Sequence, residues 1–89
     1  MDRNLRPQQR EGFLLEEMDG ELMLYSVATT TIIALNRSAA LIWELCRGQY
    51  TVAEIAAALA DAYPESAEGI AQQVAVTLAQ LEAHGAIEL

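Results

Sequence analysis

The chain is 89 residues long, has an apolar fraction of 53% and carries a formal net charge of −8. This length fits one small domain, whose apolar content can fill a core without metal or disulfide staples. With one cysteine and no apolar run near the roughly 20 residues of a membrane helix, the sequence favours a reducing, cytoplasmic setting without a membrane partner.

The first eleven residues, Met1–Glu11, are polar, contain Pro7 and show no hydrophobic periodicity. This composition predicts a mobile N-terminal segment over residues 1–11 and a folded domain over residues 12–89. Three of the five arginines lie in this segment. They are interpreted either as a solvated tail or as an arm that docks on an acidic partner.

Three strands are predicted next. Asp19-Gly20 is a strong two-residue hairpin signal between the apolar runs Gly12–Met18 and Glu21–Ser26. The residues Val27-Ala28-Thr29 turn the chain into a third run, Thr30–Leu35, which is rich in β-branched residues.

In a three-stranded meander, the third strand lies at an edge of the sheet. No proline and no charge stands between Ser26 and Asn36, so the usual protections against pairing with other chains are missing. One interpretation is that a helix or a second copy of the protein covers this edge. The other is that the edge is open to accept a peptide strand.

Helix signals fill the remainder of the chain. Asn36 is placed as the N-cap of a first helix that ends near Gly48, and Thr51 with Glu54 forms a capping box for a second helix that ends at Pro64. Ser66 is the expected cap of a third helix, which stops at Gly85. The element order predicts an α+β fold, a winged helix-turn-helix with a three-stranded antiparallel sheet followed by three helices.

Hydrophobic spacing predicts the buried face of each helix. In the first helix the face comprises Leu41, Ile42 and Leu45. In the second it comprises Val52, Ile55, Ala56, Leu59 and Tyr63. In the third it comprises Ile70, Val74, Thr77 and Leu81. The last residues, Ala86–Leu89, either add a short strand or fold Ile87 onto the core.

Catalytic chemistry finds little support. His84, the single histidine, falls in the last turn of a helix, where it suits a capping or solvent-exposed role. Cys46 has no histidine near it in sequence and is interpreted as a small buried hydrophobic residue. No Cys/His set has metal spacing and no glycine-rich loop precedes a helix. The sequence predicts no enzyme activity, no metal site and no cofactor.

The stretch from Leu35 to Leu59 resembles the PqqD family in its set of caps and core positions. The residues that carry the resemblance are Leu35-Asn36-Arg37-Ser38-Ala39, Ile42-Trp43, Leu45-Cys46, Gly48 and Thr51-Val52-Ala53-Glu54-Ile55. The order of elements agrees over about residues 12 to 88.

The resemblance implies a RiPP recognition element, a stand-alone peptide chaperone for ribosomally made, post-translationally modified peptides. In that family the precursor's leader peptide binds as an extra antiparallel strand on the third strand, in a groove completed by the third helix. The implied partner is a modifying enzyme, either a radical SAM protein or a leader peptidase, as in pyrroloquinoline quinone or lasso-peptide biosynthesis.

Placed on this chain, the implied peptide-binding residues lie on the third strand and on one shoulder of the third helix. They are Thr30, Thr31, Ile32, Ile33, Ala34, Leu35, Ala71, Val74, Ala75 and Leu78. For the helix an alternative stays open, in which Ala71, Ala75 and Leu78 contact the first helix instead of a groove.

Two other functions remain as alternatives. A winged-helix DNA-binding regulator would share the three-helix shape, but the third helix lacks lysine and arginine between Ala67 and Leu89, and the acidic chain repels phosphates. No nucleic-acid partner is therefore expected. A small structural protein could instead form a homodimer by pairing its edge strands across a two-fold axis.

Overall fold

The computed structural model describes residues 1–89 as three helices and a small sheet, with a second, two-stranded pairing of the chain ends. The elements are β1 (Gln8–Gln9), β2 (Phe13–Met18), β3 (Glu21–Ser26), β4 (Thr31–Leu35), α1 (Arg37–Leu45), α2 (Val52–Ala62), a 3₁₀ turn (Pro64–Ser66), α3 (Ala67–Ala83) and β5 (Ile87–Glu88). None of the helices combines the length and apolar character needed to cross a membrane.

The antiparallel sheet has the order β2-β3-β4, so the predicted meander and the edge position of its third strand are confirmed. Asp19 and Gly20 both adopt positive φ, at 53° and 82°, which is the backbone of a type I′ hairpin turn. The turn brings Met18 opposite Glu21 and sets the register of the whole hairpin. The α+β fold class predicted from the sequence is confirmed.

The predicted helix caps at Asn36, Thr51 and Gly85 are present. Asn36 Oδ1 accepts a hydrogen bond from the Ala39 N–H at 2.8 Å. Thr51 and Glu54 form the capping box, in which the Thr51 N–H donates to Glu54 Oε1 at 2.8 Å; this bond holds the pKa of Glu54 below its usual value. Ser66 begins α3 without a side-chain cap hydrogen bond.

The end of α3 is a Schellman motif. Gly85 takes φ of 76°, the Ala86 N–H donates to the Leu81 carbonyl, and the Gly85 N–H donates to Glu82, each at 2.9 Å. The motif turns the chain so that Ala86 and Ile87 both enter the core.

The core lies between the inner face of the sheet and the three helices. On the sheet side of the core, Leu24 is fully buried. The partly buried residues that pack against the core from the same face of the sheet are Phe13, Leu15, Ile33 and Leu35. The helices contribute the other large buried side chains, which include Ile42, Ile55, Leu59, Ile70, Val74, Leu78 and Leu81.

The buried faces of all three helices differ in part from those that the sequence predicts. In α1, Ile42 and Trp43 are buried and Cys46 follows them into the core, whereas Leu41 and Leu45 are only half-buried. In α2, Tyr63 is exposed at the helix end although the other predicted residues are buried. The indole Nε1 of Trp43 is buried without a hydrogen-bond partner, which costs about 1–3 kcal/mol.

The N-terminal residues are bound to the domain, in contrast to the mobile segment that the sequence predicts. β1 pairs antiparallel with β5, Gln8 opposite Glu88, and Pro7 is buried. Main-chain hydrogen bonds join residues 3–10 to three parts of the domain. At the α1–α2 connection, the Gln9 N–H donates to the Cys46 carbonyl and the Gly48 N–H donates to the Pro7 carbonyl. The Val52 and Ala53 N–H groups at the start of α2 donate to Leu5 and Arg3, and the Arg10 N–H donates to Ala86.

This segment completes the N-terminus of α2. The first N–H groups of a helix have no partner within the helix. Here the Val52 and Ala53 N–H groups donate to the Leu5 and Arg3 carbonyls at 2.8 and 3.1 Å, while the capping box satisfies Glu54. A distant part of the chain therefore supplies the acceptors that the helix lacks.

We expect removal of residues 1–10 to lower the free energy of unfolding by about 2–4 kcal/mol, because main-chain hydrogen bonds and the burial of Pro7 are lost together. Thermal and urea melts measure the change. Amide exchange in the full chain gives a second reading: Val52 and Ala53 should exchange slowly, and exchange at the rate of unstructured amides would contradict the pairing.

Candidate functional site

The free edge of β4 is one of the two edges that the three-stranded sheet leaves unpaired, the other being that of β2. β4 pairs with β3 on one side and with nothing on the other. No hydrogen bond from a loop, a helix or a side chain reaches the main chain of Thr31–Leu35. In an antiparallel strand alternate residues turn both N–H and C=O to one side, so this edge offers a regular row of donors and acceptors.

A cleft of about 320 Å³ lies beside this edge, between β4 and α3. We term it the β4–α3 groove. Ile33, Ala34 and Leu35 form its strand wall, and α1 closes one side with Ala39. The helix wall comprises Thr77, Gln80, Leu81 and His84.

The groove is free of carboxylates in a protein with a net charge of −8. Its polar side chains are Asn36, Thr77, Gln80 and His84, none of which is a carboxylic acid. Hydroxyl and amide groups on an apolar floor can satisfy polar groups of a bound chain without repelling its charge. The groove is therefore suited to an extended peptide segment, including an acidic one.

The predicted strand residues are divided between two faces and a turn. Ile33 and Leu35 point to the inner face and the groove, whereas Ile32 points to the opposite face of the sheet and is exposed. Thr31 begins β4 opposite Ser26. Thr30 precedes the strand in a left-handed conformation with φ of 54°, which a β-branched residue rarely adopts.

The predicted helix residues lie elsewhere than expected. Val74 and Leu78 are fully buried in the core, and neither Ala71 nor Ala75 lines the groove. At 100° per residue, Ala71 and Ala75 fall on the shoulder of α3 opposite that of Thr77 and Gln80. Leu78 therefore belongs to the core, and the groove uses the other shoulder of α3.

One signal in the sequence distinguishes the two shoulders. Leu78 continues the spacing of Ile70 and Val74 and is larger and more apolar than Thr77, so it is the better core residue. If Leu78 is assigned to the core, Thr77 and Gln80 fall on the side of α3 that faces β4. The hydrophobic spacing did not indicate Thr77, Gln80 and His84, because Thr77 fits the core stripe predicted from Ile70, Val74 and Leu81.

Cys46 lies away from the groove and is chemically quiet. Its Sγ donates to the Ile42 carbonyl at 3.1 Å, and burial raises the pKa of the thiol to about 12. The thiolate is the nucleophilic form of cysteine, so this side chain acts as a core residue near neutral pH.

Comparison with known proteins agrees with this geometry. The family model described as coenzyme PQQ synthesis protein D (PqqD) matches residues 21–87. The solved structure of TbiB1 in complex with the TbiA(beta) leader peptide has a similar fold, with a TM-score of 0.74 and 20% sequence identity, over 91% of this chain and 94% of that one. No curated protein sequence matches the chain.

Replacing Thr30 by Asn should raise the free energy of unfolding by about 1 kcal/mol, because Asn tolerates the left-handed conformation better than a β-branched residue. Thermal melts of the two proteins measure the difference. Thr29→Asn, one position earlier and outside the positive-φ region, is the matched control and should give no gain. Equal stabilisation by both variants would contradict strain at Thr30.

Proposed function

The chain belongs to the PqqD family, and we propose that it is a non-catalytic adaptor that binds the leader of a ribosomally made precursor peptide. The leader adds to β4 as an antiparallel strand, and the adaptor presents the precursor to a modifying enzyme in the cytoplasm. The observation that carries the proposal is the unpaired edge of β4, which faces the β4–α3 groove.

Strand addition fits the chemistry of this edge. Main-chain hydrogen bonds give attachment that is independent of sequence, while pockets for alternate side chains give discrimination. Ile33, Leu35 and Leu81 offer apolar contacts to the inward-pointing side chains of the added strand, and Thr77 and Gln80 offer polar ones. TbiB1, whose fold is similar, is described in complex with a leader peptide, which supports a leader peptide as the ligand here.

The alternatives are less well supported. A winged-helix regulator needs cations on the helix that enters DNA, and α3 carries two glutamates, Glu68 and Glu82, with no lysine or arginine. A homodimer through β4 would occupy the edge that a leader requires. The family and the carboxylate-free groove favour the peptide adaptor.

Selective N-methylation of a synthetic leader peptide tests strand addition most directly. Methyl groups should weaken binding by about 1–2 kcal/mol at every second position of the bound segment and have little effect at the positions between, because only alternate N–H groups point to β4. Isothermal titration calorimetry measures each affinity. A uniform effect along the peptide, or none, would exclude an added strand.

A substitution on each shoulder of α3 tests which side forms the binding wall. Thr77→Glu should weaken leader binding by about 1–3 kcal/mol, since it places an unpaired charge against the peptide. Ala71→Glu, an exposed position on the other shoulder, is the matched control and should bind as the unaltered chain does. Melting curves establish that both variants fold. Loss of binding in Ala71→Glu alone would assign the wall to the shoulder predicted from the sequence.

A further inference from the structure

The outer face of the β2-β3-β4 sheet is apolar although no element covers it. We define this outer face by Leu14, Met18, Met23, Tyr25 and Ile32. The register places Leu14 opposite Tyr25 and Tyr25 opposite Ile32, so an apolar row runs across all three strands. Leu14, Met18 and Ile32 are 57%, 59% and 69% exposed.

An uncovered sheet face normally carries polar side chains. Contiguous exposed apolar patches are uncommon on soluble monomers and mark interaction sites. A cleft of about 540 Å³ between Met18, Met23, Tyr25 and Ile32 deepens the patch. Two of these residues are methionines, whose flexible side chains adapt to a partner's surface. The outer face therefore has the composition of an interface core.

The charge around the outer face limits what can bind there. Five carboxylates and no lysine or arginine lie between Glu11 and Asn36. They are Glu11, Glu16, Glu17, Asp19 and Glu21. Glu16 also accepts a hydrogen bond from the Tyr25 hydroxyl at 3.1 Å, which raises the pKa of that phenol. Glu16 lines the cleft itself, and Glu17 and Glu21 lie in a neighbouring pocket that also contains Arg37, so acidic side chains predominate at the rim of the patch.

A negative rim selects a positive partner. Anionic lipid surfaces and nucleic acids are repelled by it. A second copy of the same face would place one predominantly acidic rim against another. A protein surface with an apolar centre and a rim of lysine and arginine is complementary in both respects.

The outer face also continues into the proposed leader site. Its residue Ile32 directly precedes Ile33 of the groove along β4. An added strand would extend the same alternation and turn every second leader side chain to the outer side of the sheet. A protein docked there would contact the adaptor and the bound leader together.

We propose that the outer face is the docking surface for the modifying enzyme, whose contact surface is apolar at its centre and basic at its rim. The proposal rests on the proposed function, because it assumes that a leader occupies β4. Since the enzyme would contact both components, leader and enzyme should each strengthen the binding of the other to the adaptor, and by the same factor.

The test uses the full chain, a synthetic leader peptide and the purified enzyme that modifies the precursor in a reconstituted reaction. In the double variant Leu14→Glu/Met18→Glu, enzyme affinity should fall about tenfold or more, while leader affinity and the melting temperature stay unchanged. Tyr50→Glu, an exposed aromatic in the α1–α2 connection, is the matched control and should bind the enzyme normally. Glu21→Lys should weaken enzyme binding and reduce its dependence on salt.

Enzyme binding that is unchanged in the double variant, or absent in the unaltered chain, would overturn the docking proposal while leaving leader binding intact. An unaltered chain that fails to bind the leader would instead overturn the proposed function. Sedimentation of the adaptor alone tests whether a second copy of the chain occupies the outer face. A dimer that the double variant dissociates would assign the outer face to self-association and refute the enzyme as its partner.

Discussion

The side chain of Asn36 ends β4 and begins α1, because its Oδ1 accepts the Ala39 N–H at 2.8 Å directly after the strand. The same oxygen accepts from the Ser38 hydroxyl at 2.9 Å, and Ser38 in turn accepts from Gln73 Nε2 at 3.0 Å. This chain of hydrogen bonds runs from the end of β4 to α3. It connects the two elements that form the walls of the β4–α3 groove.

β4 contributes to three surfaces with only five residues. Its inward side chains pack on the core and line the groove, its outward side chains belong to the apolar outer face, and its free edge carries the unpaired main chain. The two-residue side-chain period of a strand separates the first two surfaces, and the end of the sheet creates the third. A one-residue shift in register would exchange the two faces and abolish both.

Local signals were the part of the fold that sequence alone could predict. The Asp19-Gly20 turn, the Asn36 cap, the Thr51–Glu54 capping box and the Gly85 stop each involve residues a few positions apart, and all are present. The shoulder of α3 that faces β4 depends on how the helices pack, so sequence alone placed Ala71 and Ala75 beside β4, where the structure has Thr77 and Gln80. β1 was missed because two residues have no periodicity, and their partner strand lies near the other end of the chain.

The pairing of β1 with β5 has a consequence for synthesis on the ribosome. The β2-β3-β4 sheet is built from contacts between sequence neighbours, so it can begin to form as soon as its own residues emerge. Gln8 and Gln9 can pair with Arg47 and Cys46 once α1 has emerged, but their pairing with β5 requires that Ile87 and Glu88 have been translated. The free edge of β4 can therefore form early in translation, whereas the β1–β5 pairing closes the molecule last.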